Sequence, residues 1–150
     1  MMGKTPHAIH GCPLHAEGKR KELTMPKVSK TSAAATMQDI GVGQVWEGVV
    51  DGYEISFLDL RESTDMAPLL RGLPDDLCPC PHWGYVTEGR LTFSYKEHAE
   101  VFEAGDGFYV PPGHSPSASP GTAFVLISPA EQAAEVNEVI QRNMAAMTSA

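Results

Sequence analysis

From Gln44 onward, hydrophobic and polar residues alternate in short runs broken by glycine, proline and aspartate, the pattern of strands joined by tight turns. The run from Gln44 to Val50 is rich in β-branched residues, and Asp51-Gly52 is a two-residue hairpin signal. Tyr53-Glu54-Ile55-Ser56-Phe57 then alternates with period two. Further runs cover 78–87, 91–95, 100–103, 107–110 and 122–128, with a second tight turn at Glu88-Gly89. Roughly seven or eight short strands in this arrangement predict an all-β sandwich or barrel. The pattern changes at the C-terminal end. Ser128-Pro129-Ala130-Glu131 reads as a capping box, with Ser128 as N-cap, Pro129 at the first helical position and a helix over about 129–147. Ala133, Val136, Ile140, Met144 and Met147 follow at helical spacing, an apolar stripe expected against the outside of the sheet or against a partner subunit.

Composition narrows the picture. A chain of 150 residues accommodates one domain with a real core, and 14 glycines with 12 prolines fit a turn-rich barrel better than a helix bundle. There is no apolar run long enough to cross a bilayer as a helix. The net charge of −8 argues against nucleic acid as a main partner. That charge is unevenly spread: residues 1–30 hold six of the 11 basic residues and two acids, which leaves a local +4 against −12 for the remainder. Residues 1–30 are therefore expected to be a flexible basic arm ahead of a single domain over 31–150, and Met25 is a candidate for the original start, with the first 24 residues an upstream extension. His7, His10, Cys12 and His15 in the arm look like ligands on paper but read as adventitious. An odd cysteine count makes a poor disulfide framework, and the basic N-terminus is followed by no apolar signal segment, so the expected compartment is the reducing cytoplasm.

The candidate chemistry lies in two segments. In the first, Cys78-Pro79-Cys80-Pro81-His82, an extended strand would project Cys78, Cys80 and His82 from one face. Thiolate and imidazole together favour zinc, with nickel or copper behind it, over calcium or magnesium. Alternate residues lie about 6.6 Å apart at Cα, within reach of one ion, whereas positions four apart lie about 13 Å apart. Either the two prolines bend the segment so that all three converge, or only Cys80 and His82 bind together; the Cys80/His82 pair is the preferred one. The second segment, Gly105-Asp106-Gly107-Phe108-Tyr109-Val110-Pro111-Pro112-Gly113-His114, places His114 at a strand end. No phosphate-binding glycine loop is present. Each residue alone has a bland reading: the cysteines as buried small hydrophobes, His82 as a hydrogen-bonded wall residue, His98 as an exposed turn residue and Arg90 as a solvated one. Phe93 and Tyr95 are expected on the barrel wall, with Trp83 and Tyr85 facing away from the ligand side.

Together the two segments resemble the motifs of the cupin superfamily, over roughly residues 40 to 128. Tyr85-Val86-Thr87-Glu88-Gly89 is similar to the end of its first motif, and Gly105-Asp106, Pro111 and Gly113 are similar to its second. The family's first motif carries two histidines two apart, then a glutamate. Counting back from Gly89, His82 falls where that glutamate usually sits, and Cys78 and Cys80 fall at or near the histidine pair. His114 comes two residues before the usual second-motif histidine, where this chain has Pro116. The resemblance implies a jelly-roll barrel, a metal set of Cys78, Cys80, His82 and His114, and a transition metal: zinc first, with nickel, copper or iron as alternatives. It further implies a homodimer and a small-molecule ligand, with neither nucleic acid nor membrane as partner. The expected function is a metal-dependent enzyme acting on a small carbonyl or carboxylate compound, of isomerase, lyase, decarboxylase or dioxygenase type. The alternatives are a non-catalytic binding or sensor module, a closed structural zinc site with four protein ligands, and nucleophilic chemistry at Cys80. No catalytic base is legible: Glu88 sits in the turn, which leaves His82 or His114 for the role if either is not a ligand.

Overall fold

Asp51 and Gly52 both take positive φ (49° and 81°), the twist that joins two antiparallel strands through two residues. They connect β2 (Gly43–Val50) to β3 (Tyr53–Leu60), with Val50 directly opposite Tyr53. The structure, a computed structural model, describes residues 26–32 and 35–149. Ahead of this hairpin lies β1 (Thr36–Asp39); after it come β4 (Thr64–Asp65), two single 3-10 turns at Ala67–Leu70 and Pro74–Asp76, and β5 (His82–Glu88). The remaining elements are β6 (Arg90–Ser94), β7 (Ala99–Glu103), β8 (Gly107–Val110), β9 (Ser115–Ala118), β10 (Thr122–Pro129) and α1 (Ala130–Thr148).

The strands form two antiparallel sheets, one of six in the order β1-β2-β3-β10-β5-β8 and one of four in the order β4-β9-β6-β7. β10 lies between β3 and β5, far from its neighbours in sequence, and from β3 onward the chain changes sheet at every connection except β6–β7, which is the expected jelly-roll arrangement. Leu60, Val86, Leu91, Phe93, Phe108, Val110, Ala118 and Phe124 fill the space between the sheets. Each of the leucine, valine and phenylalanine side chains among them contributes about 1.5–3 kcal/mol by leaving water.

Three expectations change. The Glu88-Gly89 turn does not make a hairpin: β5 and β6 belong to different sheets, and Gly89 is the corner where the chain crosses. Gly89 has φ +76°, and a Cβ there would stand 2.5 Å from Thr122 Oγ1 and 2.7 Å from Thr122 Cα, so the crossing depends on having no side chain. Ser128 is not a helix cap. It belongs to β10, opposite Glu54, and its hydroxyl lies within hydrogen-bond distance of His82; Pro129 caps α1 without a side-chain hydrogen bond. The stripe on α1 does not cover the outer sheet face. Ala133, Val136, Ile140, Met144 and Met147 line an internal cavity, and Asn143 ties the helix down by donating to the carbonyls of Leu69 and Arg71, both at 2.8 Å.

Most of the expected arm, residues 1–25, lies outside the described residues, as do His7, His10, Cys12 and His15. Lys30, at the arm's end, pairs with Asp59 at 2.5 Å and sits 4.6 Å above the Trp46 ring, on the outer face of the six-stranded sheet. No helix among the described residues is long and apolar enough to cross a membrane.

The corner at Gly89 yields a direct test. Gly89→Ala should destabilise the fold by about 3 kcal/mol, the cost of a positive φ plus the overlap with Thr122. Gly121→Ala, at φ +77° but with nothing within 4 Å, should cost only about 1 kcal/mol. Urea midpoints compare the two; equal losses would show that Gly89 matters only for its backbone angle.

Candidate metal centre

Pro79 and Pro81 keep 78–81 out of the strand ladder, so β5 begins only at His82. Cys78 instead forms an isolated antiparallel bridge with His114: the Cys78 amide donates to the His114 carbonyl (2.8 Å), and the Gly113 amide donates back to the Cys78 carbonyl (2.8 Å). Gly113 sits at φ +94°, a conformation that turns the chain out of Pro111-Pro112 and aims the next side chain inward. The bridge sets Cys78 and His114 side by side, and His82 enters from the start of β5.

The result is a three-donor cluster. The ligand atoms of Cys78, His82 and His114 all lie within 4.8 Å of one another, with Cys78 Sγ 3.7 Å from His82 Nε2. Donors on a tetrahedral zinc, at about 2.3 Å for sulfur and 2.0–2.1 Å for nitrogen, stand about 3.6 Å apart, so this pair is already spaced for one ion. The extended-strand geometry and the preferred Cys80/His82 pair are both corrected: the bent segment puts Cys78, not Cys80, beside His82. Cys80 is fully buried, packed with Cys78, Leu70, Ala133 and Val136 in one apolar cluster, and its thiol points to the Pro81 carbonyl at 3.5 Å, outside the three-donor group. Burial, with the nearby Cys78 and Glu54 adding to it, pushes that thiol up to about 12. An inert, protonated Cys80 is the small hydrophobe of the bland reading.

The two imidazoles are oriented by other bonds. His114 Nδ1 donates to the Pro111 carbonyl at 2.8 Å, which fixes the tautomer and leaves a bare lone pair on Nε2. That Nε2 is buried with no hydrogen-bond partner, in a side chain with no exposed surface. His82 Nδ1 lies 2.7 Å from Ser128 Oγ, so its Nε2 also faces the cluster. The Phe93 ring meets the His114 ring edge-on at 5.2 Å, and the His82 and His114 rings are 5.0 Å apart. Burial, then the neighbouring His114, pushes the His82 imidazole down to about 3; burial lowers His114 too, against a smaller opposing effect of the Pro111 carbonyl. Burial raises the Cys78 thiol, partly offset by its hydrogen bond to the Cys80 backbone. Two neutral imidazoles and a thiol are soft donors, the set that suits zinc, copper or nickel.

The cluster opens onto a cavity of about 510 Å³ between the sheets and α1, within the usual range for small-molecule pockets. Phe93 lines it as expected, and Tyr95 packs against the barrel core. Trp83 and Tyr85 face outward into solvent. His98 is exposed, stacked on Tyr95 at 4.8 Å, and Arg90 pairs with Glu103 at the surface. The pattern of residues gave no sign of Ser128 as the partner of His82, because its signal was that of a helix cap. Glu47 and Glu54, which also line the cavity, were hidden for another reason: alternation reveals two faces but not which one is inside.

No protein-family model and no curated protein matches the sequence. Solved structures do match. An RmlC-like cupin from Shewanella frigidimarina NCIMB 400 is 20% identical at a TM-score of 0.46, covering 64% of this chain and 85% of that one. A cupin-2 domain containing protein from the same organism is 17% identical at a TM-score of 0.39, covering 55% and 74%. The structural neighbours thus include proteins described as cupins. They also include an oxalate decarboxylase from Bacillus subtilis, 17% identical at a TM-score of 0.47; the match covers 63% of this chain and 27% of the decarboxylase.

The buried neutral histidines set an acid limit on stability. An unfolded histidine takes its proton near pH 6.5, but folded His82 does not until about 3, so the unfolded state binds more protons between those values. Stability contributed by the neutral imidazole is therefore full above about 6.5 and lost as the pH falls, by up to about 1.4 kcal/mol per pH unit for each buried histidine. In chelator-treated protein, the urea midpoint should drop between pH 7.5 and pH 5. The drop should shrink in His82→Gln; an unchanged drop would place its origin elsewhere.

Proposed function

We propose that Cys78, His82 and His114 bind one transition-metal ion, with zinc the best fit to the donors, and present it to a small molecule held in the barrel. The carrying observation is His114 Nε2: a fully buried lone pair, without a partner, aimed where the Cys78 and His82 donors converge. Leaving such an atom unsatisfied costs about 1–3 kcal/mol, and a metal bond removes that cost. Three protein donors leave one position of a tetrahedron free, and the cavity lies beside it. A bound ion would supply Lewis acidity toward a carbonyl oxygen. The chain's own part is to orient both imidazoles through the Pro111 carbonyl and Ser128, to hold Cys78 in place through the backbone bridge, and to keep bulk water away with Phe93 and the α1 stripe. This arrangement supports a metal-dependent enzyme acting on a small carbonyl compound rather than a closed structural site, for which Cys80 would have to leave its apolar cluster. Free Cys78 and Cys80 support a reducing compartment, and the exposed Trp83 and Tyr109, 5.1 Å apart, offer an apolar surface to a second copy in a homodimer.

Metal content of the purified protein tests the reading. About one equivalent of zinc per chain is expected in the wild type and in Cys80→Ser, with a loss of tenfold or more in metal affinity in Cys78→Ser and His114→Ala. Retention of metal in Cys78→Ser together with loss in Cys80→Ser would reverse the assignment. Absence of metal after growth and refolding with zinc would remove it.

A further inference from the structure

The cavity wall also carries carboxyl groups that the metal reading does not use. Glu47 on β2 and Glu54 on β3 sit on the inward faces of their strands and line the cavity. In the β2–β3 register Glu47 faces Ser56 and Glu54 faces Val49, which makes the two glutamates diagonal neighbours on one face, at positions about 7–8 Å apart along the backbone. On its other side Glu54 stands directly opposite Ser128, the residue that holds His82. A polar band thus runs from His114 Nε2 through His82 and Ser128 to Glu54 and Glu47, across a wall otherwise built of residues such as Val45, Leu58, Leu126 and Val136.

The band consists mainly of acceptors. His114 Nε2, which the metal reading takes up, is likewise an acceptor, fully buried in the wall of this cavity. Glu54 meets only neutral partners, the Ser56 hydroxyl at 3.4 Å and the Asn137 amide. Among the described residues no lysine or arginine lines the cavity, which carries a third acid, Asp65. An anionic ligand reaching toward the carboxyls would meet like charges in a half-buried setting, where repulsion is poorly screened. A cationic donor meets the reverse. An ammonium has three N–H groups and no acceptor, and two carboxyls on diagonal positions of one face can converge on it. Burial raises both carboxyls above their ordinary values, and the Glu54 charge raises Glu47 further; a cation between them offsets both effects.

We propose that the cavity takes a small molecule with an apolar body and an amino group, whose ammonium sits between Glu47 and Glu54. This rests on the reading of the barrel as a small-molecule site and not on the identity of the metal. It also narrows that reading, since it disfavours simple carboxylates as ligands.

Isothermal titration with three probes of equal chain length, hexylamine, hexan-1-ol and hexanoate, tests the proposal on the isolated protein at pH 7.5. Hexylamine should bind about tenfold or more tighter than hexan-1-ol, and hexanoate more weakly than either. Glu54→Gln should lower the affinity for hexylamine about tenfold and leave that for hexan-1-ol unchanged, with thermal melting to check folding. Should that variant not fold, Glu47→Gln carries the same readout, and the ranking of probes on the wild type needs no variant. Hexanoate binding as well as hexylamine, or hexan-1-ol binding with no preference for the amine, overturns the proposal alone. Binding of none of the three overturns the small-molecule reading beneath it.

Discussion

Two backbone hydrogen bonds between Cys78 and the Gly113-His114 turn hold the centre of this molecule together. They join a proline-interrupted segment, which has no ladder of its own, to the exit of β8. Without them Cys78 would have no fixed partner, and His114 would be one loop residue among several. With them, a thiol and an imidazole from positions 36 residues apart become nearest neighbours, and His82 needs only to be the first residue of β5 to complete the cluster. The two prolines belong to the same logic: they keep the segment out of the sheet, so its polar backbone groups are free to pair across to the turn.

That constraint also separates the two cysteines. They are two residues apart and share one apolar cluster with Leu70 and the first turns of α1, yet only the Cys78 thiol reaches the two imidazoles, while that of Cys80 turns to the Pro81 carbonyl. The bend between them, rather than the composition of the segment, decides which thiol has chemistry within reach. The same burial that keeps His82 and His114 neutral provides the two lone pairs of the cluster, so metal affinity and acid sensitivity have one origin.

Much of the fold was legible in the sequence. Asp51-Gly52 announced its hairpin, the alternation announced strands, and the apolar stripe announced a helix over nearly its observed length. β1, β4 and β9 were not legible: two are very short, and β9 is Ser115-Pro116-Ser117-Ala118, which carries no β-branched or aromatic residue and becomes a strand through its neighbour β6. The corner at Gly89 read as a hairpin because local turn chemistry does not say which sheet the next strand joins. All four candidate site residues stood out as chemical types. Which cysteine stands with the two histidines was not legible, because that depends on a long-range backbone bridge. Glu47 and Glu54 were missed because β2 and β3 place Trp46 and Phe57 outside and carboxyls inside, the reverse of the usual sense.

Ser128 occupies the last inward position of β10, and α1 begins two residues later. The strand reaches the helix without a loop, so nothing between them can absorb a displacement. A tilt of α1 about its first residue would therefore act as a lever on the hydroxyl that orients His82. One unbroken stretch of backbone thus joins the wall that sets the size of the cavity to the hydroxyl beside the His82 ring.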